Sequence, residues 1–124
     1  MKHGLILFAH GARDPRWAEP FQQVADAVAR QCPQACVRLA FLELMQPSLP
    51  EAAAQLLAHG CSAITVQPLF LGTGGHLRRD LPALMASLEQ AHSGVHWRLR
   101  PAIGEHPDVI DAMAQASVRA LGAG

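Results

Sequence analysis

Apolar and polar positions follow each other in blocks along the chain. Four short apolar runs extend from Gly4 to Ala9, from Cys36 to Leu42, from Ser62 to Phe70 and from Val95 to Leu99. Near-continuous apolar runs of this length are typical of strands that are covered on both faces, as in a parallel sheet. The pattern therefore predicts four buried strands.

Each apolar run is followed by a segment with apolar residues at helical spacing. Asp14 opens the first of these helices, and Ser48 with Glu51 forms a capping box at the start of the second. The third helix is marked by apolar residues between positions 77 and 88, and Pro107 begins the fourth. The fourth helix carries an apolar stripe made of Ile110, Met113, Ala114, Val118 and Leu121.

The regular alternation of strands and helices predicts a single α/β domain over residues 1–124. We expect three layers, α/β/α, with a four-stranded parallel sheet of order 2-1-3-4. In that order the first and third strands are neighbours at a topological switch point. Open parallel sheets bind ligands at such a point, beyond the carboxyl ends of the strands.

Composition excludes several classes of function. The formal net charge is zero, which argues against general nucleic-acid binding, and no apolar run approaches the roughly 18 to 20 residues that cross a bilayer. The apolar run at the start is short and is soon followed by Arg13, so we interpret it as a strand and not as a signal peptide. Three cysteines without a CxxC pair favour a reducing, cytoplasmic location.

Two of the seven histidines stand out because of their positions. His10 follows the first predicted strand and His76 follows the third, each beside glycine. If these strands are neighbours, both imidazoles reach one pocket, where they can bind a metal or transfer protons. Glu43, at the end of the second strand, is either a third functional group there or simply the residue at which the strand meets water. His106 is interpreted as a helix-start residue.

A local concentration of arginines follows the two histidines. Arg13, Arg78 and Arg79 could bind an anionic ligand above the sheet edge, or could be solvated residues at helix starts. Gly74 and Gly75 belong to a glycine-rich loop that lacks the spacing of a P-loop. We expect these glycines to allow a close backbone approach or a positive φ. A nucleotide- or phosphate-binding module remains an alternative.

Longer stretches of the chain resemble one known family. The segments LILFAHGARDPRW, FLELMQPSLPEA, VQPLFLGTGGHLRRDLP and PAIGEHPDV occur in the order found in the CbiX/SirB class of sirohydrochlorin chelatases. The resemblance implies a flavodoxin-like half of a class II, ATP-independent chelatase. It implies that His10 and His76 are the metal-binding and catalytic pair, and Glu43 matches the acidic position of the family.

The resemblance also implies a reaction and its partners. The expected activity is insertion of a divalent metal into sirohydrochlorin, in cobalamin or sirohaem biosynthesis, with cobalt as the expected metal and iron or nickel as alternatives. A short member should form a homodimer that rebuilds the two-walled cleft. From their positions beside the two histidines, we expect Arg13, Arg78, Arg79, Gly74 and Gly75 to contact the tetrapyrrole. Ala12 replaces the usual serine of the family, which keeps open a non-catalytic carrier of metal or tetrapyrrole.

Overall fold

A computed structural model describes residues 1–122, with the backbone but not the side chain of His76. Strands and helices alternate in the predicted order, with a short 3₁₀ helix before the first and the last α-helix. The elements are β1 (His3–Ala9), α1 (Glu19–Gln31), β2 (Cys36–Phe41), α2 (Leu49–Ala58), β3 (Ala63–Pro68), α3 (Gly75–Ala91), β4 (His96–Leu99) and α4 (Pro107–Arg119).

The four strands form one parallel sheet of order β2-β1-β3-β4, which confirms the predicted topology. β1 lies inside the sheet, and its Phe8 faces Ala40 of β2 and Pro68 of β3. Proline is tolerated at this place because Pro68 is the last residue of its strand. The carboxyl ends of β1, β2 and β3 therefore lie side by side.

The main core lies on one face of the sheet. Strand side chains alternate between faces, so Ile6, Ile64 and Val66 pack with Leu56 of α2 and Met85 of α3. A smaller buried group on the opposite face lies under α1 and consists of Leu7, Ala9, Ala25 and Phe41. Side chains pack against β1 on both faces of the sheet, and its residues from Ile6 to Ala9 are therefore all buried.

The helix starts follow the capping signals of the sequence. Pro20 lies in the first turn of α1 and marks the start of that helix, while Asp14 caps the preceding 3₁₀ helix Pro15–Ala18. At α2 the Ser48 hydroxyl accepts a hydrogen bond from the Glu51 backbone, and the Glu51 carboxylate accepts one from the Ser48 backbone. The second bond lowers the pKa of Glu51. The predicted capping box is confirmed.

The last helix forms where the sequence predicts it but is not packed. His106 caps its start by accepting a hydrogen bond from the Asp108 backbone, as its position indicated. No residue of α4 is buried, and its principal contact is with the 3₁₀ helix Ile103–Glu105 just before it. Across residues 1–122 no helix combines the length and apolar character needed to span a membrane.

Candidate functional site

The candidate site lies at the carboxyl edge of the sheet, where β1 and β2 end together. The pairing of the two strands continues beyond their ends, because the Leu42 backbone donates to Ala9 at 2.9 Å and the Glu43 backbone donates to His10 at 3.1 Å. His10 and Glu43 are thus fixed opposite each other by the backbone. The sheet register, and not a flexible loop, determines their spacing.

Gly11 makes this close approach possible. Its φ is +101°, a value that strongly favours glycine, and a Cβ built there would lie 1.8 Å from the Glu43 carbonyl oxygen. No side chain fits between the two backbones at this point. The glycine after His10 is therefore required by the contact between the β1 and β2 ends.

The side chains of His10 and Glu43 form a hydrogen-bonded pair, with Nε2 and Oε1 separated by 3.1 Å. Both are about half exposed, at 51% and 56%. An ionised carboxylate only accepts hydrogen bonds, so Nε2 carries the proton and the Nδ1 lone pair of a neutral His10 stays free. A carboxylate behind an imidazole is the arrangement that orients histidine ligands of metals and raises their basicity.

Phe70 supports the His10 ring from the end of β3. The two rings meet edge to face with centroids 6.4 Å apart, and Phe70 in turn packs against Phe8 at 6.0 Å. Phe70 is buried, so His10 has an apolar base under one side and water on the other. This contact links the histidine of the first strand to the segment that leads to His76.

His76 is the second residue of α3, which begins beyond the end of β3. Because β1 and β3 are parallel neighbours, the backbone of His76 lies beyond the same edge of the sheet as His10. The side chain of His76 lies outside the described part of the structure. The meeting of the two imidazoles in one pocket therefore stays a prediction.

One of the two roles expected of the glycines before His76, a positive φ, is not observed. Gly74 is the N-cap of α3 with φ −71° and ψ 170°, and neither Gly74 nor Gly75 has a positive φ. Of the two expected roles, a positive φ is wrong, because the loop enters the helix directly from extended backbone, whereas a close backbone approach stays a prediction. A Cβ at either position would meet nothing within 4 Å, so open space surrounds this loop.

The three predicted arginines are all exposed. Arg78 donates from Nε to the carbonyl of Thr73 at 3.2 Å, and Arg79 donates from Nε to that of Gly75 at 3.3 Å. These bonds fix the two side chains near the glycine loop while using one nitrogen each. Arg13 lies two residues after Gly11, on the β1 side.

Two exposed leucines beside the pair were not singled out by the sequence. Leu44 follows Glu43 and is 58% exposed, and Leu71 follows Phe70 and is 71% exposed. Leu44 has φ +66° and is the centre of a γ-turn closed by the Met45 backbone and the Glu43 carbonyl at 2.8 Å. A positive φ is rare for a bulky residue, and nothing in the sequence pattern predicts it at Leu44.

The described side chains contain no cluster of three or more histidine, cysteine, aspartate or glutamate residues suited to a metal, either at this edge or elsewhere. The three cysteines are free thiols. Burial raises the pKa of Cys61, which keeps this thiol protonated and inert. The His10–Glu43 pair is therefore the strongest candidate for metal chemistry in the described residues.

The sequence of residues 4–120 matches the CbiX family. The chain belongs to this family. Among relatives, the sirohydrochlorin cobaltochelatase of Saccharolobus solfataricus is 38% identical over 82 residues, which cover 66% of this chain and 62% of that protein. The sirohydrochlorin cobaltochelatase of Methanosarcina acetivorans is 33% identical over 94 residues, 76% of this chain and 72% of the relative.

Solved structures agree with this assignment. A CbiX protein of Marinobacter aquaeolei has a TM-score of 0.84 and 38% identity, covering 96% of this chain and 97% of that one. Bacillus subtilis SirB, solved with Fe³⁺, has a TM-score of 0.83 at 21% identity and shares the fold. This CbiX chain covers 49% of the SirB chain.

We predict that Gly11→Ala lowers the free energy of unfolding by about 2 kcal/mol or more, because strained backbone and a clash with the Glu43 carbonyl combine at this position. Denaturant titration measures the change. Gly75→Ala is the matched control and should cost little, since its Cβ meets open space. Equal stability of Gly11→Ala and the parent chain would contradict the packing described here.

Proposed function

We propose that this CbiX protein is a sirohydrochlorin chelatase that inserts a divalent metal, with cobalt as the expected ion and iron or nickel as alternatives. The observation that carries the proposal is the His10–Glu43 pair at 3.1 Å, half exposed at the ligand-binding edge of the sheet. Even a fully charged exposed pair contributes at most about 1 kcal/mol to stability, so its contribution to folding does not explain its presence. Relatives named sirohydrochlorin cobaltochelatase supply the substrate class.

The chemistry exchanges one metal ion for two pyrrole N–H protons of the tetrapyrrole. Neutral His10 offers its Nδ1 lone pair to the incoming ion, while Glu43 holds the proton on Nε2 and fixes the orientation of the ring. Borderline divalent metals such as cobalt and nickel bind imidazole well. Since no nucleotide takes part in the exchange, the proposed reaction uses no ATP.

His76 completes the proposed pair from the first turn of α3. With His10 as one ligand and His76 as the other, the ion is held over the macrocycle before it enters the ring. As the metal–nitrogen bonds form, one pyrrole proton passes to Glu43 and the other to an imidazole that has released the metal, and both protons then pass to water. A proton competes with the metal for the same imidazole lone pair, so we expect acid to slow insertion.

The surroundings of the pair suit an anionic macrocycle. Arg13, Arg78 and Arg79 are exposed near the mouth, and guanidinium groups bind carboxylates at the ring periphery in a bidentate manner. The open space around Gly74 and Gly75 lets the ring edge approach the backbone. Leu44 and Leu71 offer exposed apolar surface beside His10 for the flat face of the ring.

The proposed enzyme is a cytoplasmic homodimer. The pair at the sheet edge is open to water on one side, whereas a planar ring in a closed site needs a second wall. A second copy supplies that wall, so that residues 1–124 act as one domain and half of the cleft. The location is inferred from the three free thiols, which suit a reducing compartment.

A carrier of metal or tetrapyrrole is the second candidate, and Ala12 favours it. Ala12 lies directly after Gly11 and lacks the hydroxyl that the family usually has there. Stoichiometric binding of cobalt or sirohydrochlorin without turnover would establish the carrier and reject the chelatase.

We predict that His10→Ala and His76→Ala each abolish insertion of Co²⁺ into sirohydrochlorin, because each removes an imidazole lone pair from the metal path. The assay follows the tetrapyrrole absorbance under anaerobic conditions, with Fe²⁺ and Ni²⁺ in parallel. His3→Ala, at the opposite end of β1, is the control and should keep the parent rate. Parent-like rates in both variants would reject the proposed site.

Replacing Arg78 and Arg79 together by alanine should raise the KM for sirohydrochlorin and leave kcat nearly unchanged. The guanidinium groups contact the periphery of the substrate and not the reacting nitrogens, so they contribute uniform binding. Arg30→Ala, in the last turn of α1, serves as the control for loss of charge. An unchanged KM would mean that the two arginines only solvate and hold the start of α3.

We also predict that Leu44→Ala and Leu71→Ala each raise the KM about fivefold, through loss of about 1 kcal/mol of apolar contact with the ring face. Both leucines are largely exposed in the absence of substrate, so stability should change by less than about 0.5 kcal/mol. Leu71→Met keeps the apolar surface and is the matched control. A KM that stays at the parent value in both alanine variants excludes this contact.

A further inference from the structure

Two of the three thiols lie together at the amino end of the sheet, at the opposite end from the His10–Glu43 pair. Cys36 is the first residue of β2, and Cys61 lies two residues before β3. β1 runs between these two strands, and its register places Gly4 directly beside Cys36. The two cysteines therefore approach the start of β1 from its two sides.

Gly4 leaves space for the two sulfur atoms. A Cβ built at Gly4 would lie 3.3 Å from Sγ of Cys61, so this sulfur covers the place that a side chain of β1 would take. Gly4 faces the main core, because Ile6 two residues later does so. Neighbouring strands are about 4.8 Å apart, so the Cys36 side chain starts one strand spacing from the same place. A larger residue at position 4 would fill the space that the thiols share.

Packing agrees with a shared environment for the two thiols. Cys61 is 4% exposed and belongs to the main core, while Cys36 is partly buried and packs against that core. Burial and a hydrogen bond between the two thiols raise the pKa of Cys61. The two sulfur atoms are thus within hydrogen-bonding distance of each other.

Exposure and charge decide the order in which the two thiols can react. Cys36 lies on the edge strand β2 and is reached by solvent, whereas Cys61 is screened from it. Lys2 and Arg38 are cations near the pair, and their charges oppose the effect of burial on the pKa of Cys61. Cationic surroundings favour a thiolate. A reagent in solution therefore meets Cys36 first, and Cys61 can react only with a group already bound to Cys36.

The third thiol, Cys32, is closer to Cys36 in the sequence but belongs to the other side of the sheet. It is the C-cap of α1, which covers the face opposite the main core. Cys36 packs against the main core instead. The structure therefore favours Cys61 over Cys32 as the partner of Cys36, although the sequence spacing favours Cys32.

We propose that Cys36 and Cys61 form a redox modification site, at which a low-molecular-weight disulfide oxidises the two thiols to a disulfide bond. The Cys36 thiolate attacks one sulfur of the reagent, so that a mixed disulfide forms and one thiolate leaves. The Cys61 thiol then loses its proton and attacks Sγ of Cys36, and the second thiolate leaves. Two electrons pass to the reagent, whose two halves leave as thiols with the two protons of the cysteines.

The bond would connect β2 to the start of β3 across β1 and close the segment 36–61, which contains β2 and α2. Closing such a loop restricts the unfolded chain, so we expect oxidation to raise the Tm by about 5 °C or more. In a reducing compartment the site stays a dithiol until oxidised disulfide accumulates. Because the bond lies at the other end of β1 from His10, the proposal is independent of the chelatase activity.

Peptide mapping of the parent chain tests which thiols are joined. The folded protein is incubated with oxidised glutathione, the remaining thiols are alkylated, and the product is digested with trypsin. The digest leaves Cys32 and Cys36 in peptide 31–38 and Cys61 in peptide 39–78. We expect these two peptides to be linked, with Cys32 alkylated, and dithiothreitol to separate them. A bond inside peptide 31–38, three alkylated cysteines, or a glutathione adduct that never proceeds to the link overturns the proposal.

Alanine variants supply the matched controls. Cys32→Ala should form the link as the parent does and show the same rise in Tm on oxidation. Cys61→Ala should stop at the mixed disulfide on Cys36, and Cys36→Ala should keep its remaining thiols free. Circular dichroism verifies that each variant folds. Loss of the link in a folded Cys32→Ala chain would overturn the proposal, as would a linked product from Cys36→Ala.

Discussion

Parallel pairing of β1 with both β2 and β3 is the constraint on which the rest of this structure depends. It brings the ends of three strands to one edge, so that residues 33 positions apart, His10 and Glu43, form a hydrogen bond. It also places Phe70 under the His10 ring at 6.4 Å. Open parallel sheets bind ligands at this edge, beyond the carboxyl ends of their strands.

The pairing is maintained beyond the strands by a close backbone contact. Gly11 has no Cβ, and the Glu43 carbonyl occupies the space where one would be. The backbone bond from Glu43 to His10 then fixes both side chains without the help of a buried ion pair. The pair can in this way remain half exposed, as its proposed role in metal binding requires, while the buried residues of β1 supply the stability.

An incomplete third layer distinguishes this chain from a self-contained α/β domain. The face under α2 and α3 has a continuous apolar core, whereas the opposite face is closed only where α1 lies. Helix α4 likewise has no buried residue. In the proposed homodimer, a second copy supplies the missing wall of the site.

The local elements could be predicted from the sequence because their causes are local. The capping box of Ser48, the proline at the start of α4 and the apolar run of β1 act within a few residues. Right-handed crossovers left few possible strand orders, and the predicted order 2-1-3-4 is the one observed. Tertiary structure alone decided the hydrogen bond between His10 and Glu43, the γ-turn at Leu44 and the exposure of α4. These features depend on which chain segments come together, and sequence spacing does not encode this. The apolar stripe that contains Ile110 and Val118, for example, indicates that the helix needs a covering surface but does not identify that surface.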